Sequence, residues 1–139
     1  MMPAGYSGTP LAKKLGVKDE QRTWRHAMPA SVAEEIARDG AEPTLLKSRR
    51  ASGIDMAHIF VTRRAELALL LSRLRGQLAQ DGMLWVSWPK KSAKVETDIT
   101  EDTIRKEALP LGFVDVKVCA VDDTWSGLKL VIRKSERVR

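Results

Sequence analysis

Apolar residues recur along this chain in two rhythms, one continuous and one helical. Residues 54–62, IDMAHIFVT, are almost uninterruptedly apolar and rich in strand formers, which predicts a strand covered on both faces. The following RRAELALLLSRLRGQLAQDG sets Leu67, Leu70, Leu71, Leu74 and Leu78 at helical spacing. Arg63, Arg64, Arg73, Arg75 and Gln77 fall largely on the other side, so a long amphipathic helix ending at Gly82 is expected. MLWVSW, 83–88, reads as a second buried strand, stopped by Pro89. In TEDTIRKEALPLG, Thr100 is placed to cap a helix, with Glu101 and Asp102 near its positive end and Pro110 and Gly112 terminating it. VDVKVCAV then alternates Val114, Val116, Val118 and Ala120 against Asp115, Lys117 and Cys119, the pattern of a half-exposed edge strand. LKLVIRK supplies its partner. The intervening DDTWSG is short, so the two form an antiparallel hairpin.

The first third of the chain is less apolar. Thr9 is expected to cap a short helix over 10–15, with Pro10 as its first residue and Gly16 closing it. Residues 22–28, RTWRHAM, suggest a strand ending at Pro29, although Arg22, Arg25 and His26 make it polar for a central position. Ser31 with Glu34 matches a capping box for a second short helix that leaves at Gly40. A brief strand over 43–48 and a loop, RRASG, follow. This order predicts an α/β fold: a shortened, mostly parallel, three-layer sheet of Rossmann type with a C-terminal antiparallel hairpin. Residues 1–134 are expected to form one α/β domain with an N-terminal arm, and 135–139 a basic tail that frays into solvent.

At 139 residues and 43% hydrophobic the chain has material for one core. No apolar run approaches the roughly 20 residues that cross a bilayer, and no secretory leader is evident, so a membrane partner is not expected. One cysteine, Cys119, excludes an internal disulfide framework, and a reducing cytoplasm is the expected location. Twenty-four Lys and Arg against eighteen acids give a net charge of +6, which attracts anionic partners over long range.

Several strings are more specific than the pattern: YSGTPLAKKLG near the start, FVTRRAEL at 60–67, WVSWPKK at 85–91 and VDVKVCAVDDTWSGLKLVIRK at 114–134. They resemble the bacterial family of small proteins known as domain of unknown function thirty-fifty-two, across nearly the whole chain. That resemblance implies a fold and no assigned activity. The architecture of residues 54–134 is also similar to the C-terminal half of the S-adenosylmethionine-dependent methyltransferase fold, whose last strand inserts antiparallel. In that fold a glycine-rich turn after the first strand and an acid after the second hold the cofactor. Here those places carry HAMPASVAEE, with no glycine, and KSRR, which is basic. No cofactor is therefore expected, and the balance leans away from an enzyme.

Ligands of open parallel sheets sit beyond the carboxyl ends of the strands. That rule gathers Arg63, Arg64, Trp88, Lys90 and Lys91 with Asp123, Trp125 and Ser126 on one rim, a mixture of cations and aromatics suited to an anionic group and a flat ring. A protein or an anionic small molecule is the expected ligand of a non-catalytic binding module. The alternatives are a degenerate methyltransferase-like enzyme and a protein that binds single-stranded nucleic acid. Other chemistry is poorly provided for. Asp122 and Asp123 suit a turn, one cysteine and two scattered histidines give no metal spacing, no triad is apparent, and YSGTP lacks the spacing of a phosphate loop.

Overall fold

Six strands hydrogen-bond into one sheet in the computed structural model, which describes residues 8–138. They are β1 (Arg22–His26), β2 (Thr44–Leu46), β3 (Ile54–Phe60), β4 (Leu78–Pro89), β5 (Phe113–Ala120) and β6 (Trp125–Ile132), in the order β2-β1-β3-β4-β6-β5. The first four run parallel, and β6 lies antiparallel between β4 and β5. Helices α3 (Arg64–Gln77) and α4 (Glu101–Ala108) cover one face. Helices α1 (Leu11–Leu15) and α2 (Ala30–Arg38) cover the other. This is a Rossmann-like, methyltransferase-like α/β fold with an antiparallel end, as the pattern predicts. Among the described residues no helix is long and apolar enough to cross a membrane. Tyr6 and Ser7 of the string YSGTP, the N-terminal arm and Arg139 lie outside the described residues.

Two bodies of side chains sandwich the sheet because successive strand residues alternate faces. Leu84, Val86 and Trp88 of β4 join Leu67, Leu70, Leu71 and Leu74 of α3, while Trp85 joins Leu11 and Leu15 of α1 and Val32 and Ile36 of α2. Trp85 is fully buried and its indole Nε1 donates to the Leu15 carbonyl at 2.8 Å, which fastens α1 to the sheet.

The polar segment 22–26 does form an interior strand, between β2 and β3. It fits there because its polar groups are used locally. Thr23 and Trp24 are buried, and the Arg73 guanidinium lies 4.8 Å from the Trp24 ring centroid, a cation–π contact that covers the indole. Arg22 donates through Nε and Nη2 to the carbonyls of Gly53 and Ser52. The β2–β3 crossover, residues 47–53, contains no helix. It is held by Gln77 Nε2, which donates to the carbonyls of Arg49 and Ala51.

Elsewhere the structure departs from the sequence pattern. Pro10 and Pro29, not Thr9 and Ser31, occupy the N-cap positions of α1 and α2, and neither helix has a side-chain cap bond. For α1 the work is done at long range: Ala12 N–H donates to Asp39 Oδ2 at 2.9 Å. Helix α3 ends at Gln77 rather than Gly82, because Leu78 turns extended and pairs with Ile54. Gly82 instead lies in β4 where a Cβ would come within 2.7 Å of the Ile54 carbonyl oxygen. On β5 a bulge between Asp115 and Lys117 breaks the alternation, leaving Val116 and Val118 53% and 52% exposed. As far as Val138 the tail is tied rather than frayed: Arg133 N–H donates to the Gly112 carbonyl, Arg137 Nε to Ile132, and Val138 N–H to Gln80 Oε1.

Candidate functional site

Strands β1, β3 and β4 end on one edge, and the chain between β4 and α4 folds across it as a strap, residues 90–99. Thr97 Oγ1 donates to the Thr62 carbonyl at 2.7 Å, and Asp98 N–H reaches the same oxygen at 3.3 Å. Ile99 is buried beneath. In return, Arg64 N–H donates to Asp98 Oδ1 at 2.6 Å. The N-terminus of α3, where unpaired N–H groups and the helix dipole favour an anion, thus already holds a carboxylate from the chain itself. The two arginines expected to bind a ligand are also partnered. Arg63 faces Glu96 at 3.7 Å and Arg64 faces Glu107 at 3.2 Å.

Beside the strap lies a cleft of about 760 Å³. Its floor is apolar, made by Trp88, Val95 and Ile99, with Trp88 8% exposed. One side carries Lys90 and Lys91, and the other is helix α4, with Glu101 and Asp102 from its first turn and Arg105 from its last. Among the described residues no acid pairs with either lysine. Thr100 caps α4 by accepting from Thr103 N–H, with Thr103 Oγ1 accepting from Thr100 N–H, a reciprocal box that fixes this wall. Hydrogen bonds from Arg105 to Asp115 and Glu101 hold the guanidinium more firmly protonated than usual.

The hairpin does converge on this edge, since Lys90 N–H donates to the Thr124 carbonyl at 2.8 Å. It does not bring the two tryptophans together. Trp88 belongs to the face of α3 and α4, whereas Trp125 lies on the opposite face, edge-on to Phe60 with ring centroids 5.1 Å apart. Ser126, which pairs directly with Trp88, shares the Trp88 side. Asp122 forms the turn by accepting from Thr124 and Trp125 N–H, and Asp123 is exposed. Sequence reasoning missed Thr97, Asp98 and Arg105. The helix-capping spacing around Thr100 was visible, but nothing local in SAKVETD signals docking onto residue 62.

No protein-family model matches the chain, and no curated protein sequence does. Solved structures do, and several of them are methyltransferases. A methyltransferase dependent on S-adenosylmethionine from Aquifex aeolicus superposes with a TM-score of 0.59 at 16% identity, over 88% of this chain and 87% of that one. The ribosomal protein L11 methylase of Lactobacillus delbrueckii subsp. bulgaricus gives 0.57 at 14% identity, over 88% and 75%. The Aeropyrum pernix fibrillarin with natively bound S-adenosyl-L-methionine gives 0.53 at 15%, over 87% and 73%. At such identities the likeness is one of fold.

The cofactor of that fold does not fit the residues present. The turn after β1 is Ala27-Met28-Pro29, where Ala27 takes φ 55° with its Cβ in place and Pro29, at the N-cap of α2, offers no N–H. Close approach of a ligand to the backbone needs glycine there. After β2 come Lys47, Arg49 and Arg50, with no acid for ribose hydroxyls. At the switch between β1 and β3, His26 Nε2 and Glu66 Oε2 meet at 3.3 Å across the opening.

Proposed function

We propose that this protein is a non-catalytic methyltransferase-like binding module, acting in the cytoplasm, that takes the anionic group of a protein or small molecule on Lys90 and Lys91 above Trp88. Membership of the bacterial family that its four strings resemble is part of this proposal, although no family model matches the chain. The observation that carries the proposal is the cleft itself. It combines apolar lining residues with two lysines that have no acid partner among the described residues, whereas His26 and Glu66 pair at the switch between β1 and β3 and Asp98 already serves the α3 N-terminus. A volume near 760 Å³ falls within the range of about 300–1,000 Å³ common for small-molecule sites. Titrating labelled protein with inorganic pyrophosphate should shift the amides of Trp88 and of residues 90–93 saturably, and Lys90→Ala with Lys91→Ala should abolish the response. No shift, or the same shift in the double variant, would remove the proposal.

The second reading, a degenerate methyltransferase-like enzyme, is favoured by the fold likeness, in particular by a neighbour that holds S-adenosyl-L-methionine. Calorimetry separates the two. On the binding-module reading S-adenosylmethionine at near-millimolar concentration gives no heat; a saturable isotherm would favour the enzyme.

A further inference from the structure

We infer that the ligand of the cleft is dipolar, a small molecule with an anionic group at one end, a cationic donor at the other and an apolar body between. The inference rests on the reading of the cleft as a binding site and adds the cationic end. The walls have opposite character. On the β4 side stand Lys90 and Lys91. On the α4 side three carboxylates share one guanidinium: Arg105 donates through Nε to Asp115 at 3.0 Å, through Nη1 to Asp102 at 3.1 Å, and through Nη2 to Glu101.

Every nitrogen of Arg105 is engaged, so it has little to offer an incoming anion. The acids are not equally spent. Arg105 reaches only Oε2 of Glu101 and Oδ1 of Asp102, and among the described residues the second oxygen of each, Oε1 and Oδ2, accepts no hydrogen bond. An ionised carboxylate has about four acceptor sites, so both keep capacity for an ammonium. A ligand bearing only negative charge would satisfy the lysines and face two carboxylates across the cleft. A ligand bearing only positive charge would meet the reverse. A dipolar molecule meets a complementary group on each wall and lays its apolar part on Trp88, Val95 and Ile99.

The test uses three probes with one carbon skeleton: 6-aminohexanoate, hexanoate and hexylamine, each titrated into the labelled full chain. The dipolar probe should shift the amides of Lys90, Lys91, Glu101 and Asp102 together. It should bind about fivefold more tightly than hexanoate or hexylamine, the scale of one added ion pair near a surface. Glu101→Gln with Asp102→Asn, nearly isosteric and checked for folding by its spectrum, should erase that advantage and leave hexanoate bound at least as tightly as before. Equal affinity for hexanoate and 6-aminohexanoate, or an advantage that survives the double variant, overturns the dipolar inference. A pyrophosphate response without any 6-aminohexanoate response overturns it too and leaves the anion site standing. Silence from all four probes removes both.

Discussion

His58 is 1% exposed, with Nε2 2.8 Å from the Ser87 hydroxyl, its ring stacked 4.5 Å from Phe60, and Nδ1 buried without a hydrogen-bond partner among the described residues. Burial first, and the Arg25 charge second, push its pKa from 6.5 down to about 3. The imidazole is therefore neutral in the fold throughout the range in which it takes a proton when unfolded. Stability from this source is complete above pH 6.5 and is lost as pH falls from 6.5 towards 3, at up to about 1.4 kcal/mol per pH unit. Urea unfolding at pH 7, 6 and 5 should show that decline in the parent chain and a flatter line in His58→Gln. Parallel lines would mean that His58 is not the group responsible. Cys119 obeys the same rule: burial raises its thiol pKa more than Lys14 and Lys117 lower it, which suits a small filler rather than a nucleophile.

Helix α3 shows what one element owes to another. It has no side-chain cap of its own, and Arg64 N–H is served by Asp98, thirty-four residues downstream. Asp98→Ala should cost about 0.5–2 kcal/mol, as loss of an N-cap does, and Asp98→Asn less, because the amide oxygen still accepts. Thermal unfolding of the two variants checks this, and equal melting temperatures for parent and Asp98→Ala would show that the contact contributes nothing. Local signals specify much of such elements. The leucine spacing of α3, the Thr100 cap of α4 and the apolar run of β3 are properties of a few neighbouring residues, and all three elements form, although α3 stops at Gln77 and β3 at Phe60. Asp98 was not legible as a cap because its partner is distant. Leu78 kept the helical rhythm yet joins β4, since pairing with Ile54 outweighs periodicity. The β5 valines alternate as though half-buried, but past a bulge between Asp115 and Lys117 in the pairing with β6, Val116 and Val118 are exposed. The candidate rim was legible as a place, because loop 122–126 does meet the end of β4. Which face each indole takes depends on strand register, and that placed Trp88 and Trp125 apart.

Across the whole molecule the sheet is unevenly supported, and its stability should be uneven in the same way. Strands β3 and β4 are paired on both sides, and helices lie over both of their faces. At one margin β2 has three residues, pairs only with β1, and leads into a crossover whose side chains from Lys47 to Arg50 are exposed. A helix in that crossover would have buried it. Local opening free energy follows buried apolar contact and protected backbone hydrogen bonds, so amides of β3 and β4 should exchange with solvent only through global unfolding, while those of β2 exchange through a far easier local opening. Strand β1 should follow β3, because Trp24 is covered by Arg73 and Arg22 is fastened to Ser52 and Gly53. Native-state hydrogen exchange under increasing denaturant separates these cases. If β2 and β4 merge into one isotherm from the lowest denaturant upward, the short crossover is holding that margin as firmly as a helix would, and the Gln77 bonds to Arg49 and Ala51 become the interaction to remove next.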